Sequence, residues 1–318
     1  MKIGVDIMGG DYAPLEAIQG IVAILEENDP LGSDILFVLY GDQYHAAPYI
    51  KHLSNYTDRF NVVHCPSMIE MDEHPTKALK EKPDSSIAIG FRDLATKEID
   101  AFVSAGNTGA MLVGAMHTVK SIDGVIRPTI ASPIPKINGG YNFLLDVGAI
   151  ADCKPEYLVQ FAQMGSIYAK LILGLEEPKV GLLNIGEEEG KGNILTQTTY
   201  PLLKENTHIN FIGNIEGRDL FLDNCDVIVC EGFTGNVMLK MAESFYNIFH
   251  QTRKVSDDFL AEFNYELYGG TPLLGVNAPV IIGHGISRAK AFKNMYLTAA
   301  KMVKTGIVEK IKNQFALV

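Results

Sequence analysis

Small and polar residues at positions 104–109, with the sequence SAGNTG, could hold an anion. The glycines at 106 and 109 let the backbone approach a ligand closely, and Asn107 or Thr108 could cap a helix with a side-chain oxygen. A helix N-terminus presents unpaired N–H groups and a partial positive charge, which favour a bound anion. The spacing matches neither G-x-G-x-x-G nor the lysine-bearing P-loop, so the anion need not be a nucleotide. On this local pattern alone, an ordinary strand-to-helix turn is an equally good interpretation.

The run GEEEGK at positions 186–191 is a second candidate, because it superficially resembles a P-loop. It is one residue short, it lacks Ser or Thr after Lys191, and its three carboxylates would repel phosphates. The nucleotide interpretation is therefore rejected. Two interpretations remain open: a solvated acidic turn, or a turn in which only Asn184, Gly186 and Lys191 face a ligand.

His284 lies between a short apolar run and Gly285, at the predicted end of a strand. Histidine in that position suits a general acid or base, or a hydrogen-bond donor to an anion. The sequence has no G-x-S-x-G motif, and Cys153 fits a buried structural cysteine better than an activated thiol. The pattern therefore indicates a site without an enzyme nucleophile.

The hydrophobic pattern predicts the scaffold that must position these residues. Short apolar runs alternate with segments of helical period, which indicates βαβ units and a mostly parallel sheet of the α/β class. Ligands of such sheets bind outside the carboxyl ends of the strands. One of the helices is predicted to begin near residues 235–236. Polar residues and glycines follow the predicted strands, and they are Asp6, Gly9, Gly10, Asp11, the 104–107 run, Asp146, Asn184, Gly186, Glu231 and His284.

Composition limits the function classes. The chain has 318 residues, of which 47% are hydrophobic, enough for one large or two medium domains. The formal net charge of −11 argues against a nucleic-acid binder and against an anionic membrane surface as partner. The four cysteines lack C-x-x-C pairs, so no zinc site is expected. The N-terminus lacks a signal-peptide core and no apolar run approaches membrane-spanning length, so we expect a cytoplasmic protein.

Several longer runs are unusual and occur in a defined order: DIMGGDYAP, SAGNTGA, LDVGAIADCKPEYLVQFA, LLNIGEEEGKGN, NFIGNIEGRD, EGFTGNV, and GGTPLLGV followed by HG. Together they resemble the bacterial acyl-carrier-protein:phosphate acyltransferases of phospholipid synthesis. That family makes acyl phosphate from acyl-acyl-carrier-protein and inorganic phosphate and hands it to a glycerol-3-phosphate acyltransferase. The resemblance therefore implies acyl carrier protein, inorganic phosphate and that downstream enzyme as partners, and no nucleic acid.

The resemblance also implies a fold. It is a three-layer α/β/α fold with a mainly parallel sheet, similar to isocitrate and isopropylmalate dehydrogenases and to phosphate acetyltransferase. The family pattern is a single domain, here residues 1–318, with two lobes around a central cleft, and a homodimer with dimerisation helices at about residues 236–268. The segment 238–268 is shorter here than is usual, and it carries acidic residues such as Asp257 and Asp258 that suit no anionic bilayer. We expect at most weak peripheral membrane contact.

We expect bound phosphate to attack the thioester directly, because positioning and charge stabilisation can supply most of the catalysis. His284 would donate to the developing oxyanion or protonate the leaving thiolate, and Lys191 or Arg218 would offset the phosphate charge. The SAGNTG run would hold phosphate through Ser104, Gly106, Asn107, Thr108 and Gly109. The predicted catalytic set is His284, Asn184 and Lys191, and the other predicted cleft residues are Asp6, Gly9, Gly10, Asp11, Asp146, Lys154, Gly186, Arg218 and Asn236. Neither a cofactor nor a metal is expected.

Two alternatives to this function remain. One is a phosphate acetyltransferase-like enzyme that uses acyl-coenzyme A, and the other is a non-catalytic module that binds phosphate or carrier protein. One departure from the family pattern lies close to the predicted site, since Ile150 occupies a position where Asn is usual.

Overall fold

The computed structural model describes residues 1–27 and 29–316, which form two compact units. The strands in chain order are β1 (Lys2–Asp6), β2 (Leu36–Gly41), β3 (Phe60–His64), β4 (Ala101–Ser104), β5 (Thr129–Pro135), β6 (Tyr141–Leu145), β7 (Lys179–Leu183), β8 (Asn210–Ile215), β9 (Val227–Val229), β10 (Gly270–Leu274) and β11 (Val280–Gly283). The α-helices are α1 (Leu15–Glu27), α2 (Gln43–Ile50), α3 (Pro75–Glu81), α4 (Ser86–Ala95), α5 (Thr108–Gly114), α6 (Pro155–Tyr168), α7 (Ile194–Lys204), α8 (Gly232–Phe245), α9 (Asp258–Ala261), α10 (Ala289–Thr305) and α11 (Ile307–Phe315). Wider π-helical turns extend α5, α6 and α8 over Ala115–Val119, Ala169–Leu173 and Tyr246–Thr252.

The first unit comprises Met1–Ile122 and Glu266–Val308. Its strands are ordered β3-β2-β1-β4-β11-β10, with parallel pairing throughout except between β10 and β11. The chain runs from β1 outward to β3 and then crosses back to β4, so right-handed crossovers put helices on both faces. α1 packs against α10, and α4 contacts β1, β2 and β4. Phe37, Phe91 and Phe102 are fully buried in its core.

The second unit comprises Asp123–Tyr265 and the segment from Glu309 onward. Its strands are ordered β5-β6-β9-β7-β8, in which β5 is antiparallel to β6 and the other pairs are parallel. α6 contacts β6, β7, β9 and the neighbouring α7, while α8 contacts β5 and β6. Both units therefore have the predicted α/β architecture. That they act as a single domain around a cleft stays a prediction.

Side-chain caps decide where several helices begin. Ser85 accepts a hydrogen bond from Ala88 N at 3.3 Å, which starts α4 where a cap is expected. The prediction that α8 begins near residues 235–236 was wrong, because the carboxylate of Glu231 accepts from Thr234 N at 3.0 Å and starts the helix at Gly232. Within the described part of the chain, no helix combines the length and apolar character needed to cross a bilayer.

Candidate functional site

The predicted site residues of the first unit follow three neighbouring parallel strands. β4 lies between β1 and β11, with Val5 opposite Val103 and Ile282 opposite Ser104. Asp6, Ser104 and His284 therefore end or follow adjacent strands at one carboxyl edge of the sheet. Because the strand order reverses between β1 and β4, this is the edge where open α/β sheets bind ligands.

A buried hydrogen-bond chain shapes this edge. The Ser104 hydroxyl donates to Asp6 Oδ2 at 2.6 Å and accepts from Gly106 N at 2.9 Å, while Asp6 Oδ1 accepts from Met8 N at 3.0 Å. Asp6 is 1% exposed, and burial raises its pKa above the usual 3.8. Because Gly106 N–H is already paired with Ser104, these residues hold the loop in shape and leave ligand contact to later N–H groups.

Gly9 and Gly106 bring two backbone segments into direct contact. A Cβ atom at Gly9 would lie 2.6 Å from Gly106 N and 2.6 Å from Asp6 Oδ2. Neither neighbour is the free end of a flexible side chain, so the site leaves no room for any residue larger than glycine at position 9. Packing alone therefore requires glycine at position 9, whether or not a ligand binds at this edge of the sheet.

Asn107 is fully engaged with the protein. Its Oδ1 accepts from Ala110 N at 2.9 Å and caps α5, so Asn107 is the cap of the two residues, Asn107 and Thr108, that the sequence offered. Its Nδ2 donates to the carbonyls of Glu70 at 2.9 Å, Met71 at 3.3 Å and Glu73 at 3.0 Å. The side chain therefore fastens residues 70–73 to the start of α5, a function that local sequence did not indicate.

Gly109 and Thr108 form the first turn of α5 and differ in accessibility. A Cβ at Gly109 would collide with the Pro75 ring at the start of α3, so the close approach expected for a ligand is made by α3. Thr108 is exposed. The open donors of the loop therefore lie on the Thr108 side.

The turn that follows β11 is tied to the glycine loop after β1. Asp11 N donates to Gly285 O at 2.7 Å, and Gly10 adopts a φ of 100°, which glycine allows. His284 is half-buried in this turn, and its carbonyl accepts from Ser287 N at 2.9 Å. The structure thus places the loop of Gly10 and Asp11 against the turn of His284, and their sharing of a ligand site stays a prediction.

Sequence reasoning missed an arginine next to this turn that is both stacked on an aromatic ring and paired with a carboxylate. The Arg288 guanidinium lies 3.2 Å from the centroid of the Tyr12 ring and donates to Glu16 Oε1 at 3.1 Å. Glu16 Oε2 also accepts from Ala289 N at 2.8 Å and so caps α10. No signal could have paired residues so distant in the chain, because the contact is made by the packing of α1 on α10.

In the second unit, Asp146 organises the loop after β6. Its Oδ1 accepts from Ile130 N at 3.0 Å and Ala149 N at 3.1 Å, and its Oδ2 accepts from Ile150 N at 2.7 Å. Burial raises its pKa above 3.8, while these N–H donors oppose the shift. Asn236 supports the same loop, donating to Val147 O at 3.0 Å. Ile150 contributes its backbone here, so its departure from the usual Asn leaves this arrangement intact.

The acidic turn after β7 is held by amide side chains. Asn184 donates to Lys191 O at 3.1 Å and accepts from Ile185 N at 2.9 Å, and Asn214 donates to Glu188 O at 2.9 Å. Gly186 is buried where a Cβ would lie 3.0 Å from Lys191 Cγ. Asn184 and Gly186 therefore shape a defined turn, whose acidic residues 187–189 are exposed, so both interpretations of this turn stay open.

The predicted cations of this unit differ in how they are paired. Arg218 donates to Glu187 at 3.1 Å and lies 3.0 Å from Glu216, so its charge is already offset. Lys191 is exposed, and its ammonium has no ion pair among the residues that the structure describes. Lys154 is exposed immediately before α6. Lys191 is thus the better placed of the two cations predicted to offset an anion.

Comparison with proteins of known family shows which family contains this chain. Residues 1–310 match the family described as Fatty acid synthesis protein. The chain is 44% identical over 329 residues to the phosphate acyltransferase of Dictyoglomus turgidum, covering 98% of this chain and 96% of the relative. It is 42% identical over 333 residues to the phosphate acyltransferase of Desulfitobacterium hafniense, covering 99% and 97%. The chain belongs to the phosphate acyltransferase family. It is an acyltransferase, as its long sequence runs predicted.

A solved structure supports the fold of this phosphate acyltransferase family member. The phosphotransacetylase from Streptococcus pyogenes superposes with a TM-score of 0.67 at 16% sequence identity, covering 96% of this chain and 94% of that one. At that identity the likeness concerns the fold alone. It confirms the predicted phosphate acetyltransferase-like fold class.

Proposed function

We propose that the chain transfers a fatty acyl group from acyl-acyl-carrier-protein to inorganic phosphate, giving an acyl phosphate for phospholipid synthesis. The observation that carries the proposal is the 104–109 loop, which starts α5 at the strand edge where the sheet order reverses. The names of the relatives support phosphate as the acceptor. No cofactor enters the proposed reaction.

Phosphate would bind at the first turn of α5. Thr108 and Gly109 are the first residues of the helix, and N–H groups in that turn lack intrahelical acceptors. The exposed Thr108 hydroxyl adds a further donor. α5 continues directly into Ala115–Val119, so aligned peptide dipoles add partial positive charge at its start. Ser104, Gly106 and Asn107 would act by holding this turn in place.

The reaction requires one displacement. A phosphate oxygen attacks the thioester carbonyl carbon, the C–S bond breaks as the C–O–P linkage forms, and the carrier thiolate takes a proton. We assign that proton to His284, which follows β11 beside Ser104. Burial raises the pKa of Cys65 and Cys153 to about 12, which keeps both as neutral thiols and agrees with the absence of a cysteine nucleophile from the mechanism. The catalytic roles of Asn184 and Lys191 stay predictions.

Phosphate-dependent thioester cleavage tests this function. Purified protein would be given acyl-acyl-carrier-protein with and without phosphate, and acyl phosphate would be trapped with hydroxylamine as the hydroxamate. Cleavage that needs phosphate and yields hydroxamate supports the proposal, whereas cleavage at the same rate without phosphate contradicts it. Binding of phosphate and carrier protein without any cleavage would favour the non-catalytic module.

Acyl-coenzyme A as donor is the second candidate, favoured by the fold likeness to a phosphotransacetylase. The two donors would be compared at equal concentration with the same acyl chain. A higher kcat/KM for the coenzyme A thioester would replace the carrier-protein assignment and leave phosphate as acceptor. Delivery of the product to a glycerol-3-phosphate acyltransferase rests on the carrier-protein assignment.

We further propose that α8 and the turns after it form a homodimer contact. Phe233, Val237 and Met241 are exposed at four-residue spacing, and Ile248 continues the same apolar stripe. Light scattering of Met241→Glu would then show a smaller mass than the parent chain, while Gln43→Glu, an exposed position on α2 outside this segment, keeps the parent mass. A parent chain that is already monomeric at micromolar concentration would overturn the dimer.

Membrane contact is proposed to be weak and peripheral, with a cytoplasmic location kept as a prediction. Asp257, Asp258 and Glu262 belong to the segment that follows the apolar stripe, and anionic headgroups repel them. Flotation with anionic liposomes would leave most of the protein unbound. Strong flotation that is lost on changing residues 250–268 would contradict this.

A further inference from the structure

A cavity of about 470 Å³ opens at the carboxyl ends of β7 and β9 in the second unit. Its inner surface includes Leu158 from α6, Leu183 at the end of β7 and Cys230 after β9, of which Leu158 is fully buried. The volume is within the range of about 300–1,000 Å³ that small-molecule pockets occupy. Its position is also the one at which parallel sheets bind ligands.

Apolar side chains from two further helices complete the walls. Leu195 projects from α7 and Met238 from α8. Ile185 lies at the mouth and is 81% exposed, an unusual state for so large an apolar side chain. Covering such a side chain with an apolar ligand removes its surface from water, which is favourable.

The carboxylate and amide side chains of the lining are already hydrogen-bonded within the protein. The Glu231 carboxylate accepts from Thr234 N and from the Thr234 hydroxyl. Asn184 is committed to Lys191 O, and Asn193 Oδ1 accepts from Thr196 N at 2.9 Å to cap α7. Among the described lining residues, no cation faces a ligand, so a phosphate or nucleotide would enter without a partner for its charge. An uncharged, flexible alkyl chain fits this lining, and a charged end group would remain in water outside the mouth.

We propose that this pocket, the α6–α8 pocket, binds the hydrocarbon chain of the acyl donor, an inference that rests on the proposed function. The apolar interior is suited to the alkyl chain, and the thioester end would lie at the open mouth beside Ile185. Each methylene that the interior removes from water contributes about fourfold in affinity. Leu195 and Met238 then determine which chain lengths fit.

A fluorescence experiment reads binding without turnover. The chain contains no tryptophan, so Ile185→Trp introduces a single indole at the mouth of the pocket. Palmitate should shift its emission to the blue, saturably and more strongly than octanoate does. Ile194→Trp is the matched control, because Ile194 is 86% exposed on α7 but outside the pocket lining. An equal shift in the control would overturn the proposal.

A second substitution tests the depth of the pocket. Leu195→Phe in the Ile185→Trp background should lower the affinity for palmitate by about tenfold. The affinity for octanoate should fall much less, because a larger side chain in the interior shortens the space that an alkyl chain can occupy. Ile194→Phe in the same background should change neither affinity. Equal weakening of both acids by Leu195→Phe, in protein with an unchanged melting temperature, would overturn the proposal.

The donor assay separates this inference from the proposed function. If palmitoyl and octanoyl donors are cleaved with phosphate but Leu195→Phe leaves their rate ratio unchanged, the pocket is not the acyl site and the function stands. If neither donor is cleaved while Ile185→Trp still reports saturable palmitate binding, the function fails and the pocket is retained as an alkyl-chain site.

Discussion

The carboxyl edges of the sheets in the two units are shaped by different contacts. At the first, Gly9 and Gly106 press backbone against backbone, and a buried Asp6–Ser104 pair holds the turn that starts α5. At the second, Asp146 and Asn184 satisfy loop N–H and carbonyl groups, and apolar side chains enclose a cavity. We propose the first edge as the site of a small anion, which needs N–H donors, and the second as the site of a larger ligand, which needs volume. Backbone contact and side-chain lining would then produce two kinds of site in similar sheets.

We expect the largest effect from a substitution that adds a side-chain atom to the contact between Gly9 and Gly106. Gly9→Ala adds a Cβ at 2.6 Å from Gly106 N, so the 104–109 loop must move. Because small displacements of positioned groups cost about 100-fold in rate, we expect a loss of at least that size in phosphate-dependent kcat/KM. Gly190→Ala is the matched control in the second unit, since a Cβ there meets no atom within 4 Å. Steady-state kinetics with near-parent activity in Gly9→Ala would remove the packing argument.

Asp146→Asn tests whether the second edge is primarily a structural anchor. An amide supplies one oxygen where the carboxylate serves three N–H donors, and its NH₂ group would face Ile150 N. We expect a loss of about 2–3 kcal/mol in the free energy of unfolding, the usual cost of buried unsatisfied groups. Urea denaturation measures it, with the exposed Asp152→Asn as control. A raised phosphate KM at unchanged stability would instead support the predicted place of Asp146 among the cleft residues.

Substitutions at Asn107 separate its two structural functions, the capping of α5 and the attachment of residues 70–73. Asn107→Asp retains an oxygen for Ala110 N but removes the amide that donates to Glu70, Met71 and Glu73, and it adds charge near the proposed anion. We expect about 1–2 kcal/mol of destabilisation from the lost donors and a raised phosphate KM. Asn107→Ala should lose the cap as well and be less stable still. A parent-like phosphate KM in both variants would exclude this loop as the anion site.

The smallest expected effect is on the pH dependence of stability. Burial raises the pKa of Asp6, so between pH 3.8 and that raised pKa the folded state binds more protons than the unfolded state. The stability advantage of the parent chain over Asp6→Asn should therefore decline as pH rises through that window. Asp42 should behave oppositely, because the hydrogen bond from Tyr44 N lowers its pKa, and its contribution is lost as pH falls. Urea midpoints across this range measure both slopes, and equal signs would contradict the assignment.

Local sequence signals carried much of the fold. Apolar runs indicated the strands, and Asn107 was one of two residues expected to cap α5, because a capping side chain acts within a few residues. The residues at the ends of β1, β4 and β11 could be grouped in advance, since parallel strands align their carboxyl ends. The long family runs then supplied the acyltransferase class.

Long-range packing explains what could not be predicted. The stacking of Gly9 on Gly106 depends on two loops about a hundred residues apart in sequence meeting at one distance. The hydrogen bonds from Asn107 to residues 70–73 and the ion pair of Arg218 with Glu187 likewise join segments that are distant in sequence. The α6–α8 pocket left no motif, because Leu158, Leu195 and Met238 have the spacing of ordinary core residues until α6, α7 and α8 are in position.

The Asp6–Ser104–Gly106 chain also determines how fast individual amide protons exchange with solvent. Gly106 and Ala110 donate their N–H groups to Ser104 and Asn107 in buried surroundings, so their protons should exchange with deuterium only after local opening. The amide of the exposed Thr108, in the unpaired first turn of α5, should exchange rapidly. Added phosphate should slow the exchange of the Thr108 amide proton, while the exchange of the Gly106 and Ala110 amides stays as slow as before. This pattern of exchange would show a loop whose shape exists before its ligand binds, with Thr108 among the amides that report occupancy.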